Sequence, residues 1–300
     1  MTAEPSLHDR PRVHEAAGVP AEIERELADS FELVAAPSEA DGVVVTPAIP
    51  VDSAFLDAAG PQLRIVANYA VGIDNIDLDA ARERGVVVSN TPGVLTNATA
   101  EHALALMLAL LRRIGEGDRS LRRRDHWEWG PDFMVGESLE GKELLVVGPG
   151  RIGRRVADLA EALGARPTFA GRGHDLLERL RSADVVTLHC PLTQETRHLI
   201  DAAALTAMKS TAVLINTARG PVVDEAALAA ALASGSIAGA ALDVFEREPA
   251  VTGELLAMEN VVLTPHIASA TRDTRVAMGM LVVTALRSVL LENRTPPNAL

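Results

Sequence analysis

Short β-branched runs alternate with helical stretches along nearly the whole chain, and this alternation restricts the fold more than any other feature of the sequence. A strand, a helix and a second strand in that order build a parallel sheet, because the helix carries the chain back to the edge it left. In the first third the strand candidates are 42–46, 64–68 and 85–90, with helical patterns at 21–30, 53–59 and 78–84. Residues 12–15 make a weak strand candidate. The stretch 98–114 is apolar nearly all round, which predicts a helix buried between layers. Residues 119–139 hold Trp127, Trp129, Gly130 and Pro131 and read as an irregular excursion, with Arg122, Arg123 and Arg124 as a solvated face. A second series starts at Gly141. Its strands are expected at 144–147, 167–170, 184–189, 212–216, 238–242 and 261–263, with helices at 154–163 and 224–233 and a last helix at 273–292.

A chain of 300 residues exceeds what one ordinary core serves. The reading is therefore two Rossmann-like, doubly wound parallel-sheet α/β domains with a cleft between them. Residues 1–97 with 272–300 form the first, and 98–271 the second. Lys and Arg number 28 against 41 Asp and Glu, a balance of 28 − 41 = −13, which disfavours a nucleic-acid partner. The single cysteine, Cys190, leaves no internal disulfide and no multi-cysteine metal site, and no paired-histidine spacing suggests a metal. Residues 1–10 lack the basic-then-apolar order of a secretory leader, and no run reaches about 18 apolar residues. The expectation is a cytoplasmic protein without a membrane segment.

Gly148-Pro149-Gly150-Arg151-Ile152-Gly153 fits G-x-G-x-x-G, between an apolar strand candidate and an amphipathic helix. In that setting Gly148 allows a tight turn, Gly150 lets the backbone approach a pyrophosphate, and Gly153 lets helix and strand pack closely. About twenty residues on, where an acid usually holds the ribose hydroxyls, stand Ala170, Gly171, Arg172 and Gly173, with no carboxylate before Asp175. Arg172 suits a ribose 2′-phosphate, so NADP(H) is expected over NAD(H). Only about ten residues separate Arg172 from the next strand candidate, so a trimmed third unit is expected.

Ligands of open parallel sheets sit at the carboxyl ends of strands. Three successive strand candidates end at Arg219, at Asp243 with Glu246 and Glu248 beyond it, and at His266. An arginine to grip a carboxylate or carbonyl, a histidine to exchange a proton, and a carboxylate, best Glu248, to orient that histidine suit carbonyl reduction. A cysteine nucleophile at Cys190 has neither a base nor a lowered pKa to recommend it. His102, in the apolar helix, reads as a core or interface histidine, and Tyr69 as a packing residue.

The segments Thr264-Pro265-His266-Ile267-Ala268-Ser269, Asn216-Thr217-Ala218-Arg219-Gly220 and Leu242-Asp243-Val244-Phe245-Glu246 with Glu248-Pro249 resemble the signatures of D-isomer-specific 2-hydroxyacid dehydrogenases. So do residues 68–77 and 90–96. The closest branch of that family by these motifs is the glyoxylate and hydroxypyruvate reductases. The resemblance implies a homodimer, hydride transfer in the cleft, and a catalytic set of Arg219, Glu248 and His266. It also implies that Val71 and Gly72 bind the substrate carboxylate through backbone N–H groups. Thr99 would contact a cofactor phosphate, Pro191 and Thr196 the adenosine side, Ala218 the nicotinamide, and Asp243 its carboxamide. Trp129 corresponds to the aromatic that some members insert into a neighbouring subunit's cleft. The function expected is reversible reduction of a small 2-oxo acid to the D-2-hydroxy acid with NADPH. The same chemistry on phosphite, 3-phosphoglycerate or a bulkier oxo acid stays open, as does a nucleotide-sensing interaction protein without turnover.

Overall fold

The computed structural model describes residues 10–300, so most of the segment read for a leader lies outside the described residues. The described chain divides into two units. One runs up to Leu95 and resumes over Ala270–Leu300; the other is Thr96–Ser269.

The first unit holds β1 (Arg12–Glu15), α1 (Ala21–Ser30), β2 (Glu32–Leu33), β3 (Gly42–Val45), α2 (Ser53–Ala59), β4 (Ile65–Asn68), α3 (Leu78–Glu83) and β5 (Val87–Ser89). Its sheet is parallel in the order β2-β1-β3-β4-β5. The weak candidate at 12–15 is thus a full member, one strand in from the edge. It lacks a long β-branched run and gains its place from pairing on both sides. The two-residue β2 carried no signal of its own. Val43, Val45, Val66 and Val88 pack on one face of the sheet against Leu56, Ala59, Ala80 and Ala81 of α2 and α3.

The second unit opens with α4 (Thr96–Leu111) and α5 (Ile114–Arg123). It continues through β6 (Glu143–Val147), α6 (Arg151–Glu161), β7 (Arg166–Ala170), α7 (Leu176–Ser182), β8 (Val185–Leu188), α8 (Ala202–Ala207), β9 (Val213–Asn216), α9 (Glu225–Ala233), β10 (Gly239–Leu242), α10 (Gly253–Leu256) and β11 (Val261–Leu263). The sheet order is β11-β10-β9-β8-β6-β7, all parallel. Its inner strands β6, β8, β9 and β10 are buried on both faces, while the edge strand β7 is partly exposed. Leu144 and Val146 point to the layer of α4 and α6, while Leu145 and Val147 point to the layer of α8 and α9. The strand order turns at β6: β7 lies on one side of it and β8 on the other. No third strand follows β7; two turns of α7 carry the chain straight to β8. Asp52, Asp77, Asp175, Asp201 and Asp224 each accept a backbone N–H as N-caps, which fixes where five of these helices begin.

The region 119–139 is corrected in part. Residues 114–123 form α5, because Arg113 takes a left-handed turn (φ 53°) that ends α4 and starts a second helix. Arg119 and Arg123 both pair with Glu259, and Arg122 pairs with Asp118 one helical turn back. The chain is irregular only beyond Arg124.

Finally α11 (Arg272–Leu290) returns to the first unit and covers the other face of its sheet. Gly42 and Gly279 allow the contact. A Cβ on Gly42 would stand 2.8 Å from Leu286, and one on Gly279 would stand 2.3 Å from Ile23 of α1. Among the described residues no helix is long and apolar enough to cross a membrane.

Candidate active site

Strand β10 lies between β9 and β11, with Leu242 in register with both Asn216 and Leu263. All three strands therefore release the chain at one rim of the second unit. After β9, the Asn216 side chain shapes the turn: its Nδ2 donates to the Arg219 carbonyl at 2.9 Å and its Oδ1 accepts the Ala218 N–H at 3.0 Å. Arg219 Nη1 donates to the Ala218 carbonyl at 2.8 Å, which sets the direction of the guanidinium. Gly220 comes next, and a Cβ there would stand 1.8 Å from the Phe245 carbonyl oxygen. A glycine is the only residue that lets the turn after β9 and the loop after β10 lie so close.

On that loop, Glu248 accepts the Phe245 N–H at 3.0 Å with Oε1 and meets His266 Nδ1 at 2.7 Å with Oε2. Burial alone would push the Glu248 carboxyl up. The bonds from His266 and Phe245, with the charge fields of His266 and Arg219, outweigh it and hold the group below its ordinary value. Glu248 is thus a carboxylate and only accepts, so Nδ1 of His266 carries the hydrogen of this bond. The other ring nitrogen, Nε2, is left to exchange a proton with a ligand, on a side chain that is 40% exposed. The structure brings Arg219, Glu248 and His266 together at one rim.

The loop carrying Glu248 is braced from below by Glu246 together with Glu225 and His198, two residues the sequence did not single out. Glu225, buried at the start of α9, accepts the N–H groups of Glu246 at 2.8 Å and Thr252 at 2.9 Å. Glu246 in turn accepts from Glu225 N–H at 3.3 Å and pairs with His198 Nε2 at 2.8 Å. Nothing in the local pattern marks Glu225. A glutamate in a first helical turn ordinarily faces water, and only the fold turns this one inward.

Asp243 is fully buried. Its Oδ1 accepts from Thr264 Oγ1 at 2.6 Å and Ile267 N at 2.8 Å, and its Oδ2 accepts from Ala268 N at 2.8 Å. His102 Nε2 lies 3.3 Å from Oδ1. Burial raises this carboxyl, but the bonds from His102, Thr264, Ile267 and Ala268 together lower it.

The glycine turn lies on the same side of the sheet, after β6. Gly150 is the extended N-cap of α6, which begins at Arg151, three residues earlier than the sequence suggested. Arg151, Ile152 and Gly153 therefore form the first helical turn, whose N–H groups have no acceptor within the helix. A Cβ on Gly148 would stand 2.6 Å from Cys190 N, and one on Gly153 would stand 2.3 Å from the Gly148 carbonyl. A Cβ on Gly150 would meet nothing within 4 Å. Two glycines are thus filled against protein while the middle one faces open space, which fits a pyrophosphate approaching the backbone at Gly150. Thr99 sits on the first turn of α4, which Arg155 of α6 holds through Asn97 at 2.9 Å. Arg172 is exposed on the loop after β7. Asp175 is spent as the cap of α7, but a carboxylate arrives from elsewhere. Glu195 bonds the Thr193 hydroxyl at 2.7 Å; that bond and, more weakly, the charge of Arg172 hold its carboxyl below the ordinary value. Thr196 Oγ1 donates to the Pro191 carbonyl at 2.6 Å, which closes the loop after β8. Cys190 is pushed up to about 11 by burial and stays a thiol.

In the first unit, Asn68 Nδ2 donates to the Gly72 carbonyl at 2.7 Å, and Asn90 Nδ2 to the Val71 carbonyl at 2.9 Å. Both carbonyls of the Val71-Gly72 loop are thus held by asparagines. Tyr69 packs on α11, its hydroxyl donating to the Arg275 carbonyl at 2.5 Å. Trp127 stacks on Phe133 with ring centroids 5.9 Å apart, whereas Trp129 is 83% exposed.

A parallel sheet with a glycine turn at its switch point and an ion-paired histidine beside an arginine at neighbouring strand ends is the architecture of a dinucleotide-linked dehydrogenase. The model of the D-isomer specific 2-hydroxyacid dehydrogenase NAD binding domain matches residues 104–268. Glyoxylate reductase of Aeropyrum pernix is 45% identical over 278 residues, covering 87% of this chain and 82% of that protein. Glyoxylate reductase of Thermococcus litoralis is 44% identical, over 87% of this chain and 83% of that protein. Among solved structures, a protein from Thermus thermophilus superposes with a TM-score of 0.90 at 41% identity, covering 96% of this chain and 99% of that one. The NADPH-dependent glyoxylate/hydroxypyruvate reductase of Sinorhizobium meliloti, in complex with NADP and malonate, gives a TM-score of 0.86 at 34% identity, over 97% of each chain. The chain belongs to the D-isomer specific 2-hydroxyacid dehydrogenase family and is an enzyme of that class.

Proposed function

We propose that this dehydrogenase reduces a small 2-oxo acid, of the glyoxylate or hydroxypyruvate kind, to the D-2-hydroxy acid with NADPH and one proton. The observation that carries the reading is the 2.7 Å bond between Glu248 and His266 Nδ1, which leaves the imidazole Nε2 facing outward. The chemistry that a dihydronicotinamide would supply when bound is a hydride for the carbonyl carbon. The chain supplies everything else. Arg219 pairs with the substrate carboxylate and polarises the carbonyl, and His266 Nε2 gives a proton to the oxygen as it gains charge; Val71 and Gly72 are the backbone N–H groups that the first unit would offer a carboxylate. Glu248 keeps the imidazole oriented.

The residues that would hold the nucleotide are Gly148, Gly150, Arg151, Ile152 and Gly153 at the pyrophosphate and Thr99 beside a phosphate. Pro191 and Thr196 stand on the adenosine side, and Ala218 at the nicotinamide. Asp243 is fully buried and spends its oxygens on Thr264, Ile267 and Ala268, so the carboxamide contact that the resemblance implies would need Oδ2 to be uncovered. Arg172 would take the 2′-phosphate. The names of the relatives support an oxo-acid substrate, and the NADP-bound relative supports the nucleotide. The first domain serves the substrate and the second the nucleotide, in a cytoplasmic homodimer whose Trp129 reaches the partner's cleft.

The test is a panel of small 2-oxo acids assayed with NADPH and NADH, with His266→Ala beside the parent. The variant is expected to keep nucleotide affinity and lose about 100-fold or more in turnover. Undiminished turnover would remove His266 from the chemistry.

A further inference from the structure

His266 adopts φ +54°, the left-handed region, which is strained for a residue with a Cβ and persists only if its surroundings enforce it. What enforces it here is Asp243. The Asp243 carbonyl accepts His266 N–H at 2.8 Å, and its carboxylate takes the Thr264 hydroxyl on one side of His266 and the N–H groups of Ile267 and Ala268 on the other. The five-residue turn is thus clamped around the histidine from a fully buried anion.

One more group reaches this clamp. His102 Nε2 of α4 lies 3.0 Å from Thr264 Oγ1 and 3.3 Å from Asp243 Oδ1. Thr264 has one hydroxyl proton. The 2.6 Å separation from Asp243 Oδ1 requires that proton between the two oxygens, because an ionised carboxylate donates nothing. Thr264 can therefore only accept from His102, which fixes the hydrogen on Nε2 and makes the imidazole a donor shared between Thr264 and Asp243. His102 stands on the helix packed over the sheet, and its side chain is only 19% exposed. Its Nε2 is directed at Thr264 and Asp243.

We infer that His102 is a positioning residue for the proton donor, acting through Thr264 and Asp243 to hold His266 in its left-handed turn. The inference rests on the proposed role of His266. Without the Nε2–H, the Thr264 hydroxyl and Asp243 Oδ1 lose a buried donor, and the turn that aims the imidazole loosens. Misplacement of a catalytic group by about 1 Å costs up to about 100-fold in rate.

The experiment is a double-mutant cycle on the full-length enzyme, with kcat, KM for a 2-oxo acid such as glyoxylate, and Kd for NADPH measured separately. His102→Leu is expected to lower kcat about 10-fold, with KM and the NADPH Kd changed less than about threefold. His102→Gln, whose amide nitrogen stands near the place of Nε2, recovers most of that loss. In a His266→Ala background, His102→Leu costs nothing further, because the group it positions is gone. Thr264→Val repeats the pattern and carries the test if His102→Leu does not fold. The inference is overturned if the two losses multiply, if the loss appears in NADPH affinity, or if Gln is as poor as Leu. A fully active His102→Leu beside a crippled His266→Ala overturns this inference alone; a fully active His266→Ala overturns the functional reading beneath it.

Discussion

Single residues in this enzyme acquire their properties from partners that the chain order does not announce. His189 ends β8 with its Nε2 on the Thr187 hydroxyl at 2.8 Å, and burial lowers its pKa to about 4. The unfolded chain takes this proton first, near the ordinary 6.5, so stability falls as pH drops from about 6.5 to about 4 and is unaffected by this group above that window. The loss is up to about 3 kcal/mol. Urea unfolding between pH 7 and 4 should show it, and His189→Gln should flatten that part of the curve; equal slopes in both proteins would exclude the assignment. Arg172 makes a second residue-scale case. Arg172→Asp should move the ratio of kcat/KM for NADPH to that for NADH toward NADH by about tenfold or more, since it replaces a bidentate cation by an anion. Glu195 already places one negative charge in its neighbourhood, so Glu195→Gln should move the ratio the other way. A ratio that stays put in both variants would detach this loop from nucleotide choice.

At the scale of elements, the turn from β6 into α6 separates folding from binding residue by residue. A methyl group at Gly153 collides with the Gly148 carbonyl at 2.3 Å and with Val146 at 2.9 Å, so helix and strand must part. Gly153→Ala should therefore cost about 1–3 kcal/mol of stability as well as affinity. Gly150 has φ −75° and open space where its Cβ would go. Gly150→Ala should keep stability within about 1 kcal/mol and weaken nucleotide binding, because its methyl occupies the approach to the backbone amides. Calorimetry and a nucleotide titration on both variants decide it, and a Gly150→Ala enzyme of undiminished affinity would place the pyrophosphate elsewhere. Elements with their own periodic signal were legible beforehand: the buried strands of both sheets, α9 and α11 all lie within a few residues of where the pattern puts them. The strand β1 was marked only weakly, and β2 and the helix α5 were not marked. Two of these depend on pairing partners distant in sequence, and α5 depends on one left-handed residue, Arg113.

For the whole molecule, each unit has its own buried sheet, and the glycine turn belongs to the second. NADPH at 100 times its Kd should stabilise the unit that binds it by about 2.7 kcal/mol. Hydrogen exchange should then slow about 100-fold in β6 and α6. Protection confined to β1 and β3 would assign the nucleotide to the wrong unit.

The class of fold, the glycine turn and the three strand ends that carry Arg219, Glu248 and His266 are written in the order of residues alone, because strand periodicity and turn chemistry are local properties. That same order left Glu195, Glu225 and His102 looking ordinary. Packing sets their places: a charge from the loop after β8, a carboxylate turned inward from α9 and an imidazole reaching Thr264 from α4 meet their partners across 21 to 162 residues of chain. Such meetings are set by how helices pack on a sheet, and packing leaves no period in the sequence to read.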